Sequence, residues 1–403
     1  MITYKEAINA IIETVPSPIE TEVSIEDAAG YVASREIISA VDVVNYKNSA
    51  MDGFAVKSDW FSNCSKTNPV TFSYTHTVFA GDSPGNIFQE QTPAKIMTGA
   101  PVPDGYDSVV KFEDTKYDDV SVTFFRPVKL NANVRFPGED IQKGRKLFMA
   151  GHRFSKLDIG ILAGIGLPKV HVFQKPTLRI ATTGNEIVSP GKKLGFGQLY
   201  NSNLYTLMAF LRHLSRETNT STQVSDSTQA LEELFKGNED VIITSGGVSA
   251  GERDFVVKTA EAHGWETVFH KIKIKPGKPV YFARRGRQLL FGLPGNPLSI
   301  AVTCAIFVIP ALRKLIGRED YNIQTNPATL EPANVRKSGR YLIWPGKVEK
   351  NSEVPEVSFS HTKSSACLTA LMNSDGLIFQ PALKNPPDSA LKVHFAYWDD
   401  ILK

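Results

Sequence analysis

The chain has 403 residues, 42% of them hydrophobic, and a formal net charge of only +3. That length predicts two to four domains of about 150 residues each, and the hydrophobic content supplies sizeable cores and argues against disorder. The small charge argues against nucleic acid or a membrane as partner, so any basic patch must be local.

Cys64, Cys304 and Cys367 lie far apart, with no CxxC spacing. This argues against a zinc site and a disulfide framework and fits a reducing compartment. The start, Met1-Ile2-Thr3-Tyr4-Lys5-Glu6, lacks the basic-then-apolar pattern of a signal peptide. The longest apolar run, Leu298 to Leu312, is short for a membrane span and contains Pro310. The expectation is a cytoplasmic protein.

Along the chain, residues 1 to 45 read as helical, with Ile8, Ile11, Ile12 and Val15 at helical spacing, a stop at Pro16 and Pro18, and a capping signal at Ser24 and Asp27. From about 50 to 135, short β-rich pieces (Val70 to Val78, Ala94 to Met97, Ser108 to Phe112, Val120 to Phe125) alternate with Gly, Pro and Asp turns, predicting a small β domain. Leu157 to Ala163 predicts a short helix and Lys169 to Phe173 a strand. If this stretch packs with the N-terminal helices, the β domain is an insertion.

Residues 177 to 320 alternate strand and helix. Leu204, Leu207, Met208 and Leu211 share a face behind a cap at Asn201 or Ser202. Leu231, Leu234 and Phe235 form a second stripe, capped by Asp226 or Ser227 and stopped by Gly237. Phe255 to His263 is a third helix, and Leu298 to Ile316, apolar nearly all round, is a buried one that starts at Pro297. The alternation predicts a doubly wound α/β domain. Residues 325 to 403 return to β texture and predict a terminal β-barrel.

Three apolar strands in the α/β stretch end at glycine turns: Leu178 to Thr182 before Thr183-Gly184-Asn185-Glu186, Val241 to Thr244 before Ser245-Gly246-Gly247, and Leu289 to Phe291 before Gly292-Leu293-Pro294-Gly295-Asn296-Pro297. Strands that stop this way predict one parallel sheet with a ligand crevice along its carboxyl edge. Ser245, Gly246, Gly247, Ser249 and Gly251 form the best phosphate cradle, because glycine admits a ligand to backbone N–H groups and the hydroxyls add donors. A plain strand-to-helix turn also uses glycine, but three such turns in one sheet favour binding. Neither a Walker loop nor GxGxxG is present.

Glu186 and Asp254 sit just past glycine turns, where carboxylates can hold Mg²⁺ or bond an aminopterin ring, or simply cap helices. Asp226 reads as a cap before a ligand. In His270 to Pro279, Lys271, Lys273 and Lys275 alternate as one solvated strand face, while Lys275 and Lys278 flank a Pro-Gly turn and can converge on a small oxyanion. The eight histidines show no metal spacing.

The motifs Ser49-Ala50-Met51-Asp52-Gly53-Phe54-Ala55, Met97-Thr98-Gly99-Ala100-Pro101-Val102-Pro103, Gly138-Glu139-Asp140-Ile141, Ser245-Gly246-Gly247-Val248-Ser249-Ala250-Gly251, Lys275-Pro276-Gly277-Lys278-Pro279 and Gly292-Leu293-Pro294-Gly295-Asn296-Pro297 occur in that order. Together they resemble the molybdopterin molybdenumtransferase family, that is, the bacterial MoeA proteins and the equivalent domain of gephyrin. The resemblance covers nearly the whole chain. It implies an elongated multidomain fold: an extended helical segment (1–48 and 137–176), an inserted β domain (49–136), a MogA-like α/β domain shared with molybdopterin adenylyltransferases (177–322) and a C-terminal β-barrel (323–403).

The resemblance further implies a homodimer whose cleft lies between the α/β and C-terminal domains of one subunit and the inserted domain of the other. Adenylyl-molybdopterin and molybdate react there with Mg²⁺, releasing AMP and leaving molybdenum on the dithiolene. Carried over residue by residue, it implies catalytic roles for Asp52, Thr98, Asp140, Lys275 and Lys278. Pterin phosphate and adenylate fall at Gly184, Glu186, Ser245 to Ser249, Pro294, Asn296 and Asp254. Molybdate falls near Lys275, Lys278, Arg340 and Ser364 or Ser365. The metal candidates are Glu186, Asp226 and Asp254. A molybdopterin adenylyltransferase and molybdoenzyme chaperones are the implied partners. Asn185 and Asn201 stand where the family usually has Asp, the stretch Ser215 to Thr222 lacks its usual glycine, Trp344-Pro345 falls where an arginine is common, and Ser360-His361-Thr362 replaces Gly-His-Gln. Two other readings are an adenylyltransferase acting one step earlier and a non-catalytic pterin-binding scaffold.

Overall fold

The structure is a computed structural model that describes residues 1–83, 85–184, 186–224, 228–248, 255–350, 352–360 and 364–403. The chain forms two compact units. One comprises Met1–Arg35, Gly151–Lys156 and Lys169–Lys403, and the other Glu36–Ala150 and Leu157–Pro168.

In the first unit a six-stranded sheet runs in the order Glu217–Val224, Thr177–Thr183, Val241–Ser245, Gln288–Leu293, Tyr281–Arg285, Glu266–His270. The first four strands pair in parallel, and Tyr281–Arg285 runs against its neighbours on both sides, Gln288–Leu293 and Glu266–His270. The three strands expected to share a sheet are therefore neighbours. Their register sets Thr182 beside Ser245 and Ser245 beside Leu293, so their turns leave the sheet at one level. Val241–Ser245 is buried throughout, as a strand covered on both faces must be. The Thr-rich strand Glu217–Val224 lacks an apolar run, and the sequence reading missed it.

The helix Ser202–Leu211 starts at Asn201, whose side chain accepts from the Leu204 N–H, and it buries Leu204, Leu207 and Leu211 against the sheet. Between Pro297 and Leu315 runs one helix of 19 residues, long and apolar enough to cross a membrane, yet 94% buried inside the protein. It widens to a π turn over Cys304–Val308, where the Ile309 N–H bonds the Cys304 carbonyl. Pro310, just beyond, has no N–H for the regular ladder and its ring crowds the preceding turn.

Residues 326 to 397 close a five-stranded barrel: Tyr341–Lys350 pairs with Glu356–Phe359 and Gly376–Gln380, and Asn326–Leu330 and Leu391–Tyr397 complete the ring. Trp344, Ile378 and Phe395 fill it. Ile274–Lys275 adds a parallel edge at Tyr341 and Leu342. The lysine-rich stretch is thus not one strand. Lys271 has φ 72 and interrupts it, although the burial alternation holds, with Ile272 and Ile274 buried and Lys273 and Lys275 exposed.

The N-terminal stretch is helical only at Tyr4–Thr14. After the prolines, Glu20–Ser24 is a strand paired with Lys169–Phe173, and the Ser24 cap begins a single 3₁₀ turn, Ile25–Asp27. Tertiary pairing outweighs the local capping signal here.

In the second unit, Gly53–Val56 lies at the centre of a four-stranded sheet with Ala94–Ile96, Ser108–Lys111 and Thr77–Val78. A three-stranded sheet joins Val70–Ser73, Ser121–Phe124 and Thr115–Tyr117. Side chains alternate across the central strand. Ala55 packs with Val78, Ile96 and Val109, whereas Phe54 and Val56 pack with Phe61, Val122 and Phe124. At Gly53 a Cβ would lie 2.0 Å from the Val110 carbonyl oxygen, so only glycine fits.

Candidate functional site

A cleft of about 710 Å³ opens at the carboxyl edge of the parallel strands, where open α/β sheets bind ligands. Thr183, Gly184, Glu186, Ser245, Gly246, Gly247, Gly295 and Asn296 line it, together with Tyr200, Asn203 and Leu368. Six of the sequence-derived substrate residues therefore meet in one cavity.

Gly246 and Gly247 have φ 94 and φ 70, values that an L side chain rarely adopts. A Cβ on Gly246 would also lie 2.6 Å from Thr183 Oγ1, and one on Gly247 2.8 Å from Val256 Cγ2. The turn is fixed from both sides. Thr183 Oγ1 donates to the Ser245 carbonyl at 3.3 Å, and the Gly246 N–H donates to the Leu293 carbonyl at 3.0 Å. The Gly246 amide is therefore committed to the fold, while the Gly247 N–H donates to no described residue. This narrows the expectation of a wholly bare cradle.

Asn296 donates from Nδ2 to Ser365 Oγ at 3.0 Å, and the Leu298 N–H donates to the Ser365 carbonyl at 3.1 Å, joining the third turn to the Ser364-Ser365 segment. Ser365 thus contacts the cleft through Asn296, and Ser364 stands exposed beside it. Pro294 is buried under the turn rather than in the lining. Glu186 is exposed at the cleft, its carboxylate 2.7 Å from where a Gly184 Cβ would stand. Ser249, Asp226 and Asp254, and also Asn185, lie outside the described residues.

Lys275, Lys278 and Arg340 lie on neighbouring segments of the same unit. Arg340 Nη1 donates to the Ile274 carbonyl at 3.1 Å, beside the register pairs Ile274–Tyr341 and Lys275–Leu342. Lys275 and Lys278 are exposed, and Pro276 and Gly277 between them are buried. Gly277 has φ 97 and a Cβ there would lie 2.4 Å from Thr303 Cγ2, so the buried helix holds the turn. None of these three cations lines the cleft. Trp344, at the position where an arginine is common, is a core residue that donates from Nε1 to Ser360 Oγ.

In the second unit Asp52 Oδ1 accepts from the Thr98 N–H at 2.7 Å and from Thr98 Oγ1 at 2.8 Å. The backbone N–H, then the hydroxyl, hold the exposed Asp52 carboxyl below its ordinary range. Asp140 is exposed, and its carbonyl accepts from Arg145 Nη1 at 2.8 Å. The family resemblance named Asp52 and Thr98 separately, and their contact emerges only in the structure. Sequence reasoning placed Thr183 in the first crevice turn, and it missed Asn203 and Tyr200 at the cleft. The run Tyr200-Asn201-Ser202-Asn203 carried a capping signal and, at Asn201, a departure from the family pattern, neither of which points to Asn203.

A molybdopterin molybdenumtransferase of Haemophilus influenzae is 34% identical over 396 residues, covering 93% of this chain and 96% of that relative. The chain belongs to the molybdopterin molybdenumtransferase family. Its residues 2–166 match the MoeA N-terminal region (domain I and II), and residues 179–314 match a probable molybdopterin binding domain. A family member from Synechococcus elongatus is 29% identical over 394 residues, 95% of this chain and 96% of its own. A crystal structure of a molybdopterin biosynthesis moea protein from Pyrococcus horikosii superposes with a TM-score of 0.81 at 29% identity, covering 98% of this chain and 99% of that one.

Proposed function

We propose that this protein transfers molybdenum to molybdopterin, taking adenylyl-molybdopterin and molybdate and releasing AMP. The observation that carries this reading is the 710 Å³ cleft with its positive-φ Ser245-Gly246-Gly247 turn, in a chain that belongs to this family. The Gly247 N–H and the Ser245 hydroxyl at this turn suit a phosphate oxygen. A water oxygen adds to the phosphorus on the molybdopterin side, the bridging P–O bond breaks, and AMP leaves with the electron pair; the two dithiolene sulfurs bond molybdenum as one molybdate oxygen departs as water with the two thiol protons. No protein nucleophile is required, so catalysis is positioning plus neutralisation of charge by Lys275 and Lys278.

We propose Mg²⁺ as the metal of this cleft, although the described residues alone gather no group of three His, Cys, Asp or Glu side chains. Mg²⁺ is usually held by one or two carboxylates plus substrate phosphates, and Glu186 offers one carboxylate at the lining. Asp226 and Asp254 are its companions in this proposal. When bound, the ion would neutralise phosphate charge.

We also propose a homodimer in the cytoplasm, in which Asp52, Thr98 and Asp140 of one subunit serve the cleft of the other. In support, the ribbon that pairs Ile37–Ile38 with Lys146–Phe148 and bridges Val43 to Ile141 exposes Ile38, Val41, Val44, Phe136 and Met149. These apolar side chains along one ribbon are available for burial against a second copy.

Purified protein given adenylyl-molybdopterin, molybdate and Mg²⁺ should release AMP in proportion to molybdate. If AMP release is absent and ATP plus molybdopterin yields the adenylate, the protein acts one step earlier. Pterin binding without any turnover would make it a scaffold.

A further inference from the structure

Asn203 spans two of the three turns that frame the cleft. Its Nδ2 donates to Ser245 Oγ at 2.9 Å and to the Gly295 carbonyl at 2.7 Å. A carbonyl oxygen can only accept, so the atom facing Gly295 must be the amide nitrogen, which fixes the orientation of the Asn203 side chain. Both N–H bonds of that nitrogen are then used. Oδ1 is buried and has no partner among the described residues, so the amide is held by its nitrogen alone.

The consequence falls on Ser245. Its Oγ is already accepting from Asn203, and no described residue accepts its hydroxyl proton. Ser245 is 2% exposed and lines the cleft. A hydroxyl in this position has its proton left for a ligand oxygen. We propose that Asn203 is a positioning residue that makes Ser245 a hydrogen-bond donor toward an anionic ligand oxygen, of the phosphate class, while tying the Ser245-Gly246-Gly247 turn to the Gly295-Asn296 turn. The proposal rests on the phosphate reading of the cleft and adds the residue that sets the polarity of one of its donors.

The discriminating variant is Asn203→Asp, which keeps size and shape. A carboxylate has no N–H for Gly295 and accepts the Ser245 proton, which reverses the hydrogen bond and withdraws the donor from the ligand. AMP is the probe, titrated calorimetrically into wild type, N203D, N203A, S245A and the N203D/S245A double variant, with melting temperature measured for each. N203D should weaken AMP binding by about tenfold, which is about 1.4 kcal/mol. In the S245A background the same change should cost markedly less, because the two residues act as a unit. A merely structural role would lower the melting temperature and leave AMP affinity unchanged in the folded protein.

N203D and N203A binding AMP like wild type would overturn the proposal. So would an N203D effect of equal size with and without Ser245. Wild type unable to bind AMP would also overturn it, since the hydroxyl would then have no such ligand to meet. A protein that binds AMP with the predicted coupling yet shows no molybdate-dependent AMP release would sustain the role of Asn203 and remove the transferase reading. Molybdate-dependent release with an indifferent Asn203 would do the reverse.

Discussion

The glycine turn at the cleft and the lysine turn at the barrel edge belong to the same unit and are built in opposite ways. At Ser245-Gly246-Gly247 the functional groups are part of the fold: Gly246 bonds Leu293, Thr183 bonds the Ser245 carbonyl, and Asn203 bonds the Ser245 hydroxyl. At Lys275-Pro276-Gly277-Lys278 the middle is buried and the two ammonium groups stand in solvent. The first turn should therefore lose stability and binding together when altered. The second should lose chemistry alone.

The largest effect is expected from Gly246→Val. The new side chain meets Thr183 Oγ1 within 2.6 Å at a φ of 94, a strain on the order of 1–3 kcal/mol. Molybdate-dependent AMP release should vanish, and the melting temperature should fall. A variant that melts like wild type would show that the turn is looser than its contacts imply. Lys275→Ala and Lys278→Ala sharpen the contrast. Each should reduce AMP release by roughly a hundredfold, as loss of one charge-stabilising group does, with an unchanged melting temperature. Loss of stability in either would erase the distinction between the two turns.

The Asp52 turn of the other unit is a third design, a single exposed carboxylate set by one threonine. Asp52→Ala should lower activity by about tenfold or more with little change in melting temperature. Mixed dimers carrying Asp52→Ala in one chain and Lys275→Ala in the other should recover activity, because one complete cleft remains. Failure of such complementation would argue for sites within single subunits.

The smallest effect is a titration. The Thr98 bonds lower the folded pKa of Asp52, so their stabilisation is complete above the unfolded value of about 3.9. It is lost as pH falls through the lowered folded value. Thr98→Val removes the hydroxyl donor and keeps the amide. The Asp52 midpoint, followed by carbon NMR, should move up toward the ordinary carboxylate range. An unmoved midpoint would assign the depression to the amide alone.

These contrasts also mark what could be read from the chain. Strands such as Val241–Ser245 are legible because burial on both faces demands an unbroken apolar run. Glu217–Val224 is not, since its residues (Thr, Asn, Ser, Gln) give no hydrophobic period. The Ser24 signal misled because a cap favours a helix start without fixing its length. The helix that Ser24 opens is one 3₁₀ turn beside a paired strand. At the site, glycine turns announced themselves through the φ values that only glycine takes easily. Asn203 did not, because its role depends on two partners 42 and 92 residues away, and no local pattern encodes such contacts.

A crystal structure of the protein with AMP and molybdate tests the central claim most directly. The AMP phosphate should lie against the Gly247 N–H and the Ser245 hydroxyl, and a tetrahedral oxyanion should bridge the ammonium groups of Lys275 and Lys278. A glycine turn without phosphate, and lysines facing only water at saturating concentrations of both compounds, would contradict the account.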